Sequence, residues 1–204
     1  MTKVLILDSA ATGEESVSRK LVDGLVQSFG TRGGDIDIVR RDIGGQPIPH
    51  LTPETVFAIR TGEASTDAGR EALALSDALI AELRAADIVV IGAPMYNFGI
   101  PSTLKAWFDH VLRARITFRY TEAGPEGLMK GKKAIVVESR AGLYSEGPAV
   151  HMDSQEPHLR NLLGFMGIDD VTFVRAEKLA FGPEAAEAAL AGARAQLHEL
   201  ALAA

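Results

Sequence analysis

Residues 87–109 read DIVVIGAPMYNFGIPSTLKAWFD, which is a strand, a loop and a helix in succession. The run Ile88 to Ile91 is short and β-branched, and this is typical of a strand buried on both faces of a parallel sheet. Pro101 then opens an amphipathic helix, in which we expect Trp107 and Phe108 to lie in the core. The loop between strand and helix lies past the carboxyl end of the strand, where open α/β sheets bind ligands.

The same alternation of strand and helix runs through the whole chain. Strands are predicted at 4–7, 36–39, 88–91, 134–138 and 171–174. Long helices are predicted to end near Gly30, to span 67–86 and to begin at Pro101, near Pro157 and at Pro183, and a short helix is predicted from Pro53 with Thr52 as its N-cap. Because no repeat or linker interrupts this pattern, we expect a single α/β domain over residues 1–204.

The predicted sheet has five parallel strands, and two strand orders compete for it. A long irregular excursion at 42–66 follows the second strand and favours the flavodoxin-like, three-layer order 2-1-3-4-5 over a six-stranded dinucleotide-binding fold. Residues 116–128 alternate and then become rich in turn formers, which predicts a small flap after the third long helix. In this order the loops at 9–18 and 93–100 face each other across one crevice, with 139–144 beside them.

The composition restricts the classes of partner and of chemistry. The chain carries 21 Lys and Arg against 27 Asp and Glu, and a net charge of −6 argues against nucleic acid or an anionic membrane as the main partner. It has no cysteine, and its five histidines show no metal-ligand spacing, so no disulfide, thiolate chemistry or metal is expected. The amino-terminal apolar run is too short for a signal peptide or a membrane helix, and the expected location is cytoplasmic.

The loop at 9–18 has the chemistry of an anion site. Ser9, Ser16 and Ser18 supply hydroxyls before a helix N-terminus, whose free N–H groups and dipole attract negative charge. The loop lacks the lysine of a nucleotide triphosphatase and the GxGxxG of a dinucleotide site, so a phosphate monoester fits it better. The alternative is that Ser16 or Ser18 only caps the helix.

The loop at 95–99 suits a flat aromatic ligand. Tyr96 and Phe98 offer aromatic faces, and Asn97 offers an amide that can bond ring heteroatoms. The alternative is a structural turn that places Met95 and Phe98 in the core.

The third strand-end loop and the flap supply further candidates. Arg140 and Gly142 offer a positive charge and N–H donors that would stabilise an anionic ring, although an isolated arginine is more often a salt-bridge partner. Phe118 and Tyr120 share one face of the flap and are candidates for the wall of an apolar substrate site. Alternatively, they pack the flap onto the body of the protein or onto a partner subunit.

A phosphate site, an aromatic-ring site and an anion-stabilising loop together describe flavin mononucleotide (FMN). No side chain is predicted to be catalytic, because this cofactor carries the redox chemistry. An electron-carrying flavodoxin would bind the same cofactor, but the excursion at 42–66 and the flap at 116–128 favour an enzyme. A signalling receiver domain is set aside, because Gly92-Ala93-Pro94 stand where it needs an aspartate.

The sequence resembles the FMN-dependent NADH:azoreductases, which also act as NADH:quinone oxidoreductases and have the flavodoxin-like fold. The most specific motifs are APMYNF at 93–98, TFRYTEAGPEGL at 117–128 and GKKAIVVESRAG at 131–142. The segments EALALSDALIAEL at 71–83 and FGPE at 181–184 extend the resemblance over nearly the whole chain.

The resemblance implies which residues hold FMN. The phosphate and ribityl chain would be held by Ser9, Ser16, Val17 and Ser18, and the isoalloxazine ring by Met95, Tyr96, Asn97, Phe98, Ser139, Arg140, Ala141 and Gly142. Three positions depart from the family pattern. Ala10 stands where serine is frequent, Val17 replaces a common glutamine, and Ala141 replaces a common glycine, which matters if that residue needs a positive φ.

The resemblance also implies the reaction and the assembly. It implies a homodimer with two flavin sites at the subunit interface, and ping-pong turnover in which NADH passes hydride to flavin N5 and leaves before the acceptor binds. Quinones are the implied acceptors, and azo compounds would be cleaved to amines in two such cycles. Phe98, Phe118 and Tyr120 are the expected substrate-binding residues.

Overall fold

The computed structural model describes residues 1–32 and 35–203, and its central feature is a parallel β-sheet. In chain order the strands are β1 (Thr2–Asp8), β2 (Ile36–Asp42), β3 (Ile88–Pro94), β4 (Phe118–Thr121), β5 (Gly124–Gly127), β6 (Lys133–Ser139) and β7 (Asp170–Ala176). Five of them form the sheet in the order β2-β1-β3-β6-β7, and every neighbouring pair in it is parallel. The predicted order 2-1-3-4-5 is therefore confirmed.

The helices begin close to the predicted residues. They are α1 (Val17–Arg32), α2 (Pro53–Thr61), α3 (Asp67–Ala85), α4 (Ser102–Val111), α5 (Glu156–Phe165) and α6 (Pro183–Ala203). Thr52 is the N-cap of α2, as predicted, because its side chain accepts a hydrogen bond from the N–H of Thr55. The end of α1 was predicted near Gly30, and the helix ends at Arg32; Gly30 lies inside the last turn, where a glycine costs only about 1 kcal/mol.

Two apolar layers cover the two faces of the sheet, because successive side chains of a strand point to opposite faces. One layer packs β1 and β3 residues such as Leu5 and Val89 against α3, α4 and α5. Trp107 and Phe108 lie in this layer and are fully buried, which confirms the prediction that they are core residues. The other layer packs the opposite face against α1 and α6. None of the helices in the described ranges is long and apolar enough to cross a membrane.

The predicted flap is an antiparallel hairpin made of β4 and β5. Its base packs on the end of α5, where the rings of Phe118 and Phe165 lie 4.5 Å apart, centroid to centroid. A Cβ at Gly127 would lie only 2.1 Å from the backbone nitrogen of Gly167, so the backbone of the hairpin is in direct contact with the backbone at the end of α5. Since α5 ends just before β7 begins, the base of the hairpin lies at the amino-terminal edge of the sheet.

Candidate functional site

Three strand-end loops meet at the carboxyl edge of the sheet. We call residues 9–18 the first loop, residues 95–99 the second loop and residues 139–145 the third loop. The N–H of Ala11 donates to the hydroxyl of Tyr96 at 3.0 Å, which joins the first loop to the second. The N–H of Met95 donates to the carbonyl of Ser139 at 2.9 Å, which joins the second to the third. The three loops therefore lie next to one another, as the strand order predicts, and we call the surface that they share the crevice.

In the first loop, the serine hydroxyls bond mainly to the protein itself. Ser16 caps α1, because its Oγ accepts from the N–H of Arg19 at 3.3 Å, and it also lies 3.0 Å from the Oγ of Ser18. The Oγ of Ser9 donates to the carbonyl of Gly92 at 2.6 Å, so in this arrangement its proton is not available to a phosphate. Two kinds of donor remain for an anion. One is the first N–H groups of α1. The other is a hydroxyl proton of the Ser16–Ser18 pair, because the bond between these two side chains uses only one of their two protons.

The second loop is a strained two-residue turn. Tyr96 and Gly99 exchange two backbone hydrogen bonds, of 3.0 and 3.1 Å, and between them Asn97 and Phe98 have φ angles of 48° and 72°. Asparagine tolerates this left-handed backbone, but phenylalanine rarely adopts it, and such outliers cluster at functional sites. Phe98 is 41% exposed, so the alternative that buries it in the core is wrong.

The second loop is also held from one side. The N–H of Ser154 donates to the carbonyl of Phe98 at 2.9 Å. The ring of Phe98 meets the ring of Tyr144 edge to face, with centroids 6.0 Å apart. Two aromatic side chains, from the second and third loops, therefore stand together at the crevice.

In the third loop, the arginine does not present its charge to the crevice. Arg140 has no exposed surface, and its guanidinium lies 2.7 Å from Glu138, 3.1 Å from Asp153 and 3.2 Å from Glu177. The expectation that its charge faces an anionic ring is therefore corrected in favour of the salt-bridge alternative. Three acidic side chains converge on Arg140 and explain its orientation. They are Glu138 from β6, Asp153 from the segment before α5, and Glu177 directly after β7.

The backbone of the third loop is fixed, and its small residues have identifiable reasons. The carbonyls of residues 140, 141 and 142 accept hydrogen bonds from the N–H groups of 179, 180 and 178. Ala141 does not have a positive φ, so alanine at this position carries no backbone strain. A Cβ at Gly142 would lie 2.9 Å from the ring of Tyr144, so this position requires glycine unless the tyrosine moves.

The acidic groups behind the third loop differ in their electrostatics. Burial raises the pKa of Glu138 to about 8, against the opposing attraction of Arg140. Burial also acts to raise the pKa of Glu177, but hydrogen bonds from the Ser145 hydroxyl, the Tyr144 N–H and Arg140 outweigh it and hold that pKa below its usual value. Glu138 is therefore the one of these two acids that the fold favours in its neutral form.

Comparison with known proteins assigns this architecture. A family model described as the flavodoxin-like fold matches residues 2–201. The chain belongs to this family. It is 56% identical over 201 residues to the FMN-dependent NADH:quinone oxidoreductase of Hyphomonas neptunium, covering 98% of this chain and 96% of that protein. It is 45% identical over 202 residues to the protein of the same name from Azotobacter vinelandii, covering 98% of this chain and 100% of the relative.

Solved structures of similar proteins agree with this assignment to the flavodoxin-like family. An azoreductase from Bacillus anthracis str. Sterne superposes with a TM-score of 0.90 at 29% identity, and the match covers 100% of both chains. An FMN-dependent NADH-azoreductase from Bacillus anthracis str. Ames Ancestor, solved in complex with FMN, also gives 0.90, at 26% identity and 98% coverage of both chains.

Two expected substrate residues of this flavodoxin-like protein lie away from its own crevice. Phe118 is buried against Phe165 at the base of the hairpin, at the amino-terminal edge of the sheet. Tyr120 is 73% exposed and contacts the ring of Phe118 edge to face, at 5.6 Å between centroids. The alternative that the flap packs onto the body is therefore observed for Phe118, and only Tyr120 is free to meet another molecule.

Sequence reasoning missed the residues that hold the loops from behind. Gln155, Asp153 and Glu177 each bond to the side chain of Arg140, and none was a candidate. No local pattern marks them, because each acts through a residue distant in sequence. Tyr144 lies two residues after Gly142, the end of the third motif, and this proximity was the only sequence signal that it could contact the site.

Proposed function

We propose that the protein is an FMN-dependent NADH:quinone oxidoreductase that also cleaves azo compounds reductively to amines. Relatives that bear the quinone oxidoreductase name match it over nearly their whole length, at 45% and 56% identity. Structures named azoreductases share its fold, and one of them was solved with FMN. The single observation that carries the proposal is that two hydrogen bonds, from Ala11 to Tyr96 and from Met95 to Ser139, join the three loops side by side.

The donor set of the crevice fits FMN. The N-terminus of α1 provides free N–H groups and a positive dipole end for the phosphate, and the loop before it lacks the GxGxxG motif of a pyrophosphate site. The left-handed turn at Asn97 and Phe98 exposes an amide and an aromatic face beside the third loop, as a flat ring system requires. The residues proposed to hold FMN are Ser9, Ser16, Val17, Ser18, Met95, Tyr96, Asn97, Phe98, Ser139, Arg140, Ala141 and Gly142, with Ser9 and Arg140 acting by holding the loops.

The protein's own part in the reaction is to bind, orient and exclude water. FMN, when bound, supplies the chemistry that accepts hydride from NADH and passes two electrons to the acceptor. Phe98 and Tyr144 stand where an aromatic donor or acceptor would stack, and the rigid third loop keeps their spacing. We assign no side chain to proton transfer.

We further propose that this single domain of residues 1–204 works as a homodimer in the cytoplasm. Exposed aromatic side chains on α2, on β4 and in the connection between β7 and α6, namely Phe57, Tyr120 and Phe181, support an interface of this kind. The hairpin supports it too, because Tyr120 can line a crevice only if that crevice belongs to a partner subunit. Sedimentation analysis tests this part: a dimer is expected, and a monomer at micromolar concentration contradicts it.

The activity is tested by reconstitution. The purified chain is incubated with FMN and desalted, and NADH oxidation is then followed with menadione and with methyl red. We expect retained yellow colour and turnover with both acceptors. Colour without turnover would favour an electron carrier, and no uptake of FMN would end the proposal. Asn97→Ala is expected to weaken FMN retention, and unchanged affinity would remove Asn97 from the site.

A further inference from the structure

Behind the second and third loops lies a short segment that we call the brace, residues 153–155. Its three residues contact both loops. Asp153 lies 3.1 Å from the guanidinium of Arg140, and the N–H of Ser154 donates to the carbonyl of Phe98. Asp153 also accepts hydrogen bonds from the N–H groups of Gln155 at 2.8 Å and Glu156 at 3.1 Å, so one carboxylate fixes the brace backbone and the third loop together.

Gln155 is the side chain that joins the two loops directly. It has no exposed surface. Its Nε2 donates to the carbonyl of Ala93 at 2.8 Å, just before the second loop. Its Oε1 accepts from the Nε of Arg140 at 3.0 Å, inside the third loop. The amide is thus bonded at both ends, to the ends of two neighbouring strands.

The chemistry of this position requires an amide. One end of the side chain must donate, because it meets the carbonyl of Ala93, which can only accept. The other end must accept, because it meets the guanidinium of Arg140, which can only donate. An apolar side chain of the same size would leave both groups buried without these bonds, which is unfavourable for each of them. That cost would be relieved by movement of the loops, since each is anchored here at its root.

We propose that Gln155 is a positioning residue for the flavin ring: it fixes the spacing between the second and third loops and thereby sets the affinity for FMN and the surroundings of its ring. This inference rests on the proposed function, in which these two loops hold the ring. It is distinct from a role in folding alone, because, among residues 1–32 and 35–203, the hydrogen bonds of this side-chain amide go to the roots of the second and third loops.

Gln155→Met tests the proposal, because it keeps the length of the side chain and removes both hydrogen bonds. Gln155→Glu keeps the acceptor for Arg140 and removes the donor to Ala93. Gln196→Met, at an exposed position on α6, is the matched control. Each protein is titrated with FMN to obtain Kd, and the absorption spectrum and midpoint potential of the bound flavin are recorded. Thermal unfolding is measured without FMN.

We expect Gln155→Met to raise the Kd for FMN about tenfold or more and to shift the flavin spectrum and potential, as loss of about 1.4 kcal/mol or more predicts. Gln155→Glu is expected to raise Kd about threefold or more, and Gln196→Met to change nothing. If Gln155→Met does not fold, Gln155→Glu decides alone.

The possible failures are distinguishable. If the unaltered chain does not bind FMN, the proposed function is wrong and the inference falls with it. If the unaltered chain binds FMN but the position-155 variants keep its Kd, spectrum and potential, the inference is wrong while the function stands. Lowered thermal stability with those three quantities unchanged means that Gln155 is structural only, and this also overturns the inference.

Discussion

The first loop and the pair formed by the second and third loops are held in different ways. In the first loop, Ser16 caps α1 and is also one of the residues proposed to bind the phosphate, so the proposal gives one residue both roles. Behind the second and third loops, Arg140, Gln155 and Glu177 hold the backbone, while Asn97 and Phe98 face the crevice. In the proposed site, support and binding are therefore separated on the ring side and combined on the phosphate side.

The largest expected effect comes from removing the centre of the ring-side support. Arg140→Ala leaves the nearly buried carboxylates of Asp153 and Glu177 without their cation, and we expect the free energy of unfolding to fall by about 3–5 kcal/mol. Denaturant titration of the FMN-free protein measures this. Arg160→Ala is the control, because that side chain is 52% exposed and its ion pair is worth about 0–1 kcal/mol. Equal losses in the two variants would contradict a special role for Arg140.

A smaller effect on the free energy of unfolding is expected when a change of pH ionises Glu138. Because its pKa is raised in the folded state, the stability that its neutral form contributes is complete below about pH 4.3. This contribution is lost as the pH rises through about 8. Glu138→Gln cannot ionise, so the free energy of unfolding of this variant should rise by about 2–3 kcal/mol relative to that of the unaltered chain between pH 5.5 and 7.5.

Glu177→Gln is the control for this pH effect. The pKa of Glu177 is lowered in the folded state, so the stability that it contributes is present above its unfolded pKa and is lost only at more acidic pH. The difference between Glu177→Gln and the unaltered chain should therefore stay constant between pH 5.5 and 7.5. A pH-independent difference for Glu138→Gln as well would show that Glu138 is ionised throughout this range.

On the phosphate side, Ser16→Ala should affect stability and binding together. It removes the N-cap of α1, and we expect unfolding free energy to fall by about 1 kcal/mol. Because the same hydroxyl lies at the anion site, the Kd for FMN should rise about threefold or more. Chemical denaturation and FMN titration give the two values. Loss of stability with unchanged Kd would mean that support and binding are separated here too.

The smallest effect is expected where the two regions meet. Tyr96→Phe removes the acceptor of the Ala11 N–H, the bond that joins the first loop to the second. Since Ala11 is exposed, water can replace the hydroxyl, and stability should change by less than about 1 kcal/mol. The Kd for FMN should still rise about threefold, because the phosphate and ring sides lose their connection. An unchanged Kd would show that the two regions bind independently.

The sequence predicts the parts of this account that rest on local patterns. The strands and helices follow from apolar periodicity and from the prolines at 53, 101, 157 and 183, and the crevice follows from strand order. The left-handed φ of Phe98 has no such signal, because phenylalanine does not indicate a turn.

The ring-side support could not be predicted, since it depends on contacts between distant residues. Gln155 and Ala93 are 62 residues apart, and nothing near either one marks the bond. An arginine after a strand also has the same appearance in sequence whether it binds a ligand or an ion-pair network. Its orientation was decided by Asp153 and Glu177, which the topology brings to it.

The proposed activity is tested most directly by separating its two half-reactions under anaerobic conditions. The FMN-loaded protein is mixed with one equivalent of NADH while its visible flavin absorbance is followed, and a quinone is added only after the NADH is consumed. We predict that NADH alone bleaches the flavin and that the quinone then restores it. Flavin that NADH leaves oxidised, or that bleaches only when the quinone is also present, would contradict the account.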